Sequence, residues 1–136
     1  MLEKIPIETI ETIFDILPLD ITFVDNADIV RYYSKGETRI FKRTPAVIGR
    51  KVQQCHPPKS LDKVEQVVSD LKSGKRNLAD FWIDLKARKI HIRYFAVRDK
   101  KGKYIGTLEV TQDITDLKKI EGQKRLLDWD SRAGLP

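Results

Sequence analysis

At 136 residues, 40% hydrophobic and 34% charged, the chain has room for one core with short flanking helices, and it contains neither an apolar run near the roughly 20 residues of a membrane span nor a basic-then-apolar signal segment. Its one cysteine excludes an internal disulfide and agrees with a reducing compartment, the cytoplasm. The excess of 26 basic over 20 acidic residues, +6 in all, is scattered over "KSGKR" (72–76), "KARK" (86–89), "RDKKGK" (98–103) and "KK" (118–119) with no recognition helix or aromatic platform beside it, so it reads as solvated surface and excludes nucleic acid as the expected partner.

"IPIETIETIFDILP" sets Ile7, Ile10, Ile13, Phe14 and Leu17 at helical spacing, and Pro18 ends that helix. "DITFVDN" and "DIVRYYSKG" are short β-rich runs parted by "NAD", whose Asn26 and Asp28 suit a tight turn, and together predict a hairpin. From Glu37 to Gly49 no period is sustained; short helical turns packed through Ile40, Phe41, Val47 and Ile48 fit best. "VIGRKVQQCHPPKS" (47–60) follows, and then Ser60 caps a helix with Leu61, Val64, Val67, Val68 and Leu71 on one face and Gly74 as its stop. "LADFWIDL" (78–85), "KIHIRYFAVRD" (89–99) and "YIGTLEVTQDI" (104–114) predict a three-stranded meander with tips at "KAR" and "KKGK". Finally "DITDLKKIEGQKRLLDW" predicts an amphipathic helix capped by Thr115, with Leu117, Ile120 and Leu127 as its stripe. The expected organisation is an N-terminal amphipathic helix over 1–17, a core over 18–115, and a C-terminal signalling or dimerisation helix and tail over 116–136.

This order of elements resembles the PAS fold, an α+β architecture in which a five-stranded antiparallel sheet carries helices over one face, here with amphipathic helices at both termini. "DITFVDNADIVRYYS" resembles the family's opening hairpin and "PAVIGRKVQQCHPP" its "iiGk" turn and short helix. "YIGTLEVTQDITDLKK" resembles its closing strand and the Asp-Ile-Thr junction into a signalling helix. The resemblance spans roughly residues 15–127. In "CHPPKS" and "FWIDLKARKIHIRYFAVRD" the chain is further similar to PAS domains at the C-terminal end of prokaryotic proteins that carry a domain of unknown function and a hemerythrin-like domain. That likeness implies a piece of a larger protein, with Met1 and the "DSRAGLP" end as its cut points.

Side chains alternate along a strand, so register decides what lines the PAS cavity. Matched to flavin-binding relatives, Ile90, Ile92, Tyr94 and Ala96 face inward, with Thr107, Glu109 and Thr111 on the last strand and Thr22 and Val24 on the first. The resemblance thus implies a ligand cavity bounded by Thr22, Val24, Ile92, Tyr94, Thr107, Glu109 and Thr111. A carboxylate in apolar surroundings needs a partner. Either a polar ligand satisfies Glu109, or Tyr94, Thr107 and Thr111 do so internally or it leans out to water. The opposite face, with His91, Arg93, Phe95, Val97, Leu108, Val110 and Gln112, is too apolar to stay open, and the terminal helices of the same or a second chain are expected to cover it.

Cys55 and His56 are adjacent and point apart, and one Cys with two His cannot complete a structural zinc site, so no metal site is expected. Haem needs only one axial ligand, so Cys55 or His56 alone could serve. Haem-binding relatives take that ligand from the long helix, which has no His here, and the flavin-photochemical asparagine-cysteine-arginine motif is absent, which makes flavin unlikely. Local punctuation accounts for the segment: Cys55 packs, His56 caps or faces solvent, and Pro57-Pro58 stop a short helix. No nucleophile-base constellation and no "GxxxxGK" loop is present, so an enzyme is not expected. The expected function is a PAS sensor or regulatory module that binds a small molecule or cofactor and relays the signal through its terminal helices. The expected partners are a second copy of the chain and other domains of a parent protein, with neither nucleic acid nor membrane among them. The alternatives are a ligand-free dimerisation or interaction domain and a haem-based sensor through His56 or Cys55.

Overall fold

A computed structural model describes residues 1–129 and folds them around one antiparallel sheet. Helix α1 (Ile7–Ile16) leads into strands β1 (Asp20–Asp25) and β2 (Val30–Tyr33). Short 3-10 turns fill 36–60, helix α2 (Leu61–Ser73) crosses, and β3 (Leu78–Leu85), β4 (Arg88–Arg98) and β5 (Tyr104–Asp113) complete the sheet. The strand order is β2-β1-β5-β4-β3, so the last strand lies at the centre beside the first.

Local chemistry explains most boundaries. Leu17 is extended, as a residue before proline must be, and α1 stops there. The first hairpin closes through Asp25, whose Oδ1 accepts from the backbone N–H groups of Ala27 (2.9 Å) and Ile29 (3.0 Å), with Asp28 left-handed at φ 66°. Helix α2 ends at Gly74 with φ 82°. Ser60 stands at its N-cap position but caps nothing, because its hydroxyl donates to the Pro57 carbonyl at 3.3 Å. Gly106 is required by packing: a Cβ there would lie 2.3 Å from the Val24 carbonyl and 2.6 Å from the Phe23 ring. The core is the inner face of the sheet with Val30 and Val52 from the hairpin and middle turns and Val68 and Leu71 from α2.

The C-terminal helix expected after Thr115 is not formed within the described residues. The chain makes one 3-10 turn, Leu117–Lys119, and Gly122 and Leu127 adopt positive φ of 64° and 72°. Thr115 cannot cap it, because its hydroxyl accepts from the Lys89 N–H at 2.8 Å and donates to Asp113 Oδ1 at 2.6 Å. Its stripe has nothing to pack on, Ile120 being 69% and Leu127 74% exposed, and a short helix without a packed face is marginal in water. The "DSRAGLP" end lies outside the described residues. Helix α1 packs at the β2 edge of the sheet, through Phe14 against the Tyr32 ring, 5.9 Å between centroids, and through Asp15, which accepts from the Lys35 N–H at 2.9 Å.

Candidate ligand cavity

Between the inner face of the sheet, helix α2 and the irregular segment 40–57 lies a cavity of about 860 Å³. Its walls are mostly apolar: Ile40 and Phe41 from the irregular segment, Val64 and Val67 from α2, Phe81 and Ile92 from the sheet. Phe81 and Tyr94 stack across β3 and β4 at 5.7 Å, which makes one wall flat and aromatic.

The register pairs Thr22 and Tyr94 with Glu109, Val24 with Thr107, and Ile92 with Thr111, so all seven of these residues share the inner face. Val24, Ile92, Tyr94, Thr107 and Glu109 reach the cavity wall. Thr22 and Thr111 are buried on the same face without lining it. Thr107 is already engaged, its hydroxyl 2.7 Å from that of Tyr104. Thr111 Oγ1 has no partner among the described residues, so the hydroxyls expected to satisfy Glu109 internally do not do so.

Two arginines not singled out in the sequence are enclosed near Glu109, and one of them, Arg43, takes over this role. Arg39 is buried and spends its guanidinium on structure. It donates to the carbonyls of Phe41 (3.1 Å), Ile21 (3.1 Å) and Ser34 (2.8 Å) and to Thr22 Oγ1 (3.0 Å), which ties the irregular segment to β1. Burial lowers its pKa, and the nearby Asp20 carboxylate opposes that shift. Arg43 reaches the cavity and meets Glu109, with Nη2 3.5 Å from Oε2 and both side chains almost wholly enclosed. Arg43 Nε is buried and unpartnered. Burial first, and the Glu109 charge second, raise the pKa of the Tyr94 phenol well above its ordinary value, which keeps it a neutral hydroxyl. The signal for an arginine was present as a requirement, since an inward Glu109 needs a cation and the aperiodic stretch 37–49 carries Arg39 and Arg43.

Cys55 and His56 both lie along the cavity. The His56 ring donates from Nδ1 to the Val52 carbonyl at 2.9 Å, closing the 3-10 turn Val52–Cys55. Cys55 packs against the cluster of Val24, Val30 and Val52. Among the described residues no three His, Cys, Asp or Glu side chains group as a metal site would, and no helix is long and apolar enough to cross a membrane. At the far end of the cavity sheet, Asp113 is held down to about pH 2 by hydrogen bonds from Thr115 and Arg88, so the Asp113-Ile114-Thr115 junction is tied to the start of β4.

Residues 10–115 match the PAS domain family. The chain is 38% identical to a crystal structure of a C-terminal domain from Streptococcus mutans, covering 86% of this chain and 91% of that one with a TM-score of 0.80. It also superposes on the PAS domain of a Colwellia psychrerythraea protein, at 18% identity, with 80% and 97% of the two chains covered and a TM-score of 0.58. The PAS domain from Bordetella pertussis BvgS is similar at 16% identity, 79% and 85% coverage and a TM-score of 0.61. A comparison with curated proteins finds no match.

Proposed function

The chain belongs to the PAS family, and from that premise we propose that it is a non-catalytic sensory and regulatory module whose cavity takes a small molecule. The observation that carries this is the enclosed Arg43–Glu109 contact in a mostly apolar cavity: the pair is long, and Arg43 Nε is left without a partner among the described residues. A few convergent polar groups in an apolar hollow of this size are the usual form of a small-molecule site. The residues proposed to meet the ligand are Val24, Ile92, Tyr94, Thr107 and Glu109, with Thr22 and Thr111 behind them.

A ligand that favours one arrangement of β4 and β5 would pass that preference through Asp113-Ile114-Thr115 to the segment beyond, and it can act only through such differential affinity. The module is cytoplasmic and works as a homodimer within a larger prokaryotic protein. Apolar residues on α1, Ile7, Ile13 and Ile16, are 72%, 42% and 74% exposed, which supports a second copy as their cover. Likeness to a C-terminal domain supports the placement at the end of a parent chain; the hemerythrin-like partner domain rests on the sequence resemblance.

A haem sensor is the second reading. It is favoured by His56, whose Nδ1–H is fixed on a backbone carbonyl as the outer nitrogen of a ligating imidazole commonly is, while the ring borders the cavity. Cys55 is the lesser candidate, being half-buried against the cluster of Val24, Val30 and Val52. Native mass spectra and absorption spectra of freshly purified protein, compared with Glu109→Ala, Tyr94→Phe and His56→Ala, separate the readings. A colourless adduct weakened by Glu109→Ala supports the small-molecule site, and a Soret band lost only in His56→Ala makes the protein a haem sensor. Bare, dimeric protein unresponsive to metabolite mixtures makes it an interaction domain.

A further inference from the structure

We propose that the cavity takes a neutral, largely apolar molecule carrying an amide-type edge, a carbonyl acceptor beside an N–H donor, bound across Arg43 and Glu109. This rests on the reading of the cavity as a ligand site and specifies its chemistry.

Arg43 has five N–H donors and, among the described residues, uses one, on a 3.5 Å contact at the limit of a hydrogen bond. Its Nε is buried without a partner although its side chain is only 10% exposed. Glu109, 7% exposed, accepts nothing but that contact through its side chain among the described residues. The buried Nε is closed off from the hollow, but both residues line it, so the Arg43 Nη groups and the Glu109 carboxylate face it side by side, each with capacity to spare.

Charge selects between ligands. The two groups neutralise each other, so a ligand carboxylate would meet Arg43 but crowd Glu109, and an ammonium would do the reverse. Either leaves a buried charge uncompensated, the costliest outcome in such a place. A neutral edge whose carbonyl accepts from Arg43 and whose N–H donates to Glu109 fills both. Lys42, Lys63 and Lys86 stand at the mouth, but they are exposed and solvated and weigh less than the buried pair. The stacked Phe81 and Tyr94 rings favour a flat body behind the edge.

The test uses four naphthalenes of matched shape: 2-naphthamide, 2-naphthoate, methyl 2-naphthyl ketone and 2-naphthylmethylamine. Binding to the whole chain is followed by calorimetry and by amide chemical shifts of residues along β4 and β5. The amide should bind about tenfold or more tighter than the ketone or either ion, since only it satisfies both partners. In Glu109→Gln the order of amide and naphthoate should reverse, because the new carboxamide can donate to a carboxylate and the Arg43 charge is left free to pair. Naphthoate or ketone equalling the amide in the wild type overturns this inference and leaves the cavity as a ligand site. Binding of none of the four overturns both. The wild-type ranking stands without any variant, so a poorly folded Glu109→Gln would not rescue the proposal.

Discussion

Arg39 and Arg43 are four residues apart in one irregular segment, both largely enclosed, and they differ in what they have left to give. Arg39 distributes its N–H groups over three carbonyls and a threonine hydroxyl, all within its own scaffold. Among the described residues Arg43 makes a single long contact, with Glu109, and keeps a buried Nε unbonded. A buried cation with its bonding complete fixes a fold; one with its bonding incomplete is stored capacity for something else.

The sharpest way to break this contrast is Arg39→Met. It removes the Arg39 donors from Thr22 Oγ1 and from the Phe41 and Ser34 carbonyls, leaves the Ile21 carbonyl with only the Ser34 N–H, and leaves Asp20, 4% exposed, with only the Ile40 N–H on its Oδ2 among the described residues. A loss of about 3–5 kcal/mol in urea unfolding is expected, the usual cost of deleting one member of a buried charged network. A loss below about 1 kcal/mol would make Arg39 no more structural than Arg43. The counterpart is the double replacement Arg43→Met with Glu109→Leu. Removing both members of a poorly bonded pair and filling the space with apolar atoms should leave stability within about 1 kcal/mol of wild type, or raise it, while abolishing whatever polar recognition the cavity has. A large loss from the double variant would mean that the pair holds the fold together.

The elements that follow from near neighbours in the chain were legible in the sequence. The stripe Leu61, Val64, Val67, Val68, Leu71 with Gly74 behind it gave α2, and alternation with turn residues gave the meander. The inner face could be listed because period-2 alternation leaves only two choices of register. What escaped depends on contacts across the chain. Three of the four Arg39 bonds reach residues 5 to 18 positions away, and Arg43 meets Glu109 66 positions away, which no local pattern encodes. The C-terminal segment failed for the opposite reason. Its helical spacing is real, but Thr115, legible as a cap, is claimed by Lys89 N–H across the sheet, and helical spacing without a surface to bury against does not make a helix.

The smallest expected effect concerns Tyr94, which sits opposite Glu109 in the register and has no hydrogen bond from its hydroxyl to the described residues. With no bond to lose, Tyr94→Phe at neutral pH should change the unfolding midpoint little, by about 0.5 kcal/mol or less. Its effect belongs to alkaline pH. The folded protein holds the phenol protonated above the ordinary tyrosine value near 10, first by burial and then by the Glu109 charge. In the unfolded chain it ionises at that ordinary value. A group whose folded pKa is raised contributes its stability in full below the unfolded pKa and loses it as pH rises beyond. Stability should therefore fall from about pH 10 upward, and Tyr94→Phe should flatten that decline. The decline should not vanish, because Tyr32 is shifted upward too, chiefly by burial. Unfolding midpoints in urea between pH 8 and pH 11.5 measure the slope. If the slope is unchanged in Tyr94→Phe, the phenol already reaches water beside Glu109. The polar end of the cavity would then be a solvated groove, and the unspent bonding of Arg43 would be water's to satisfy.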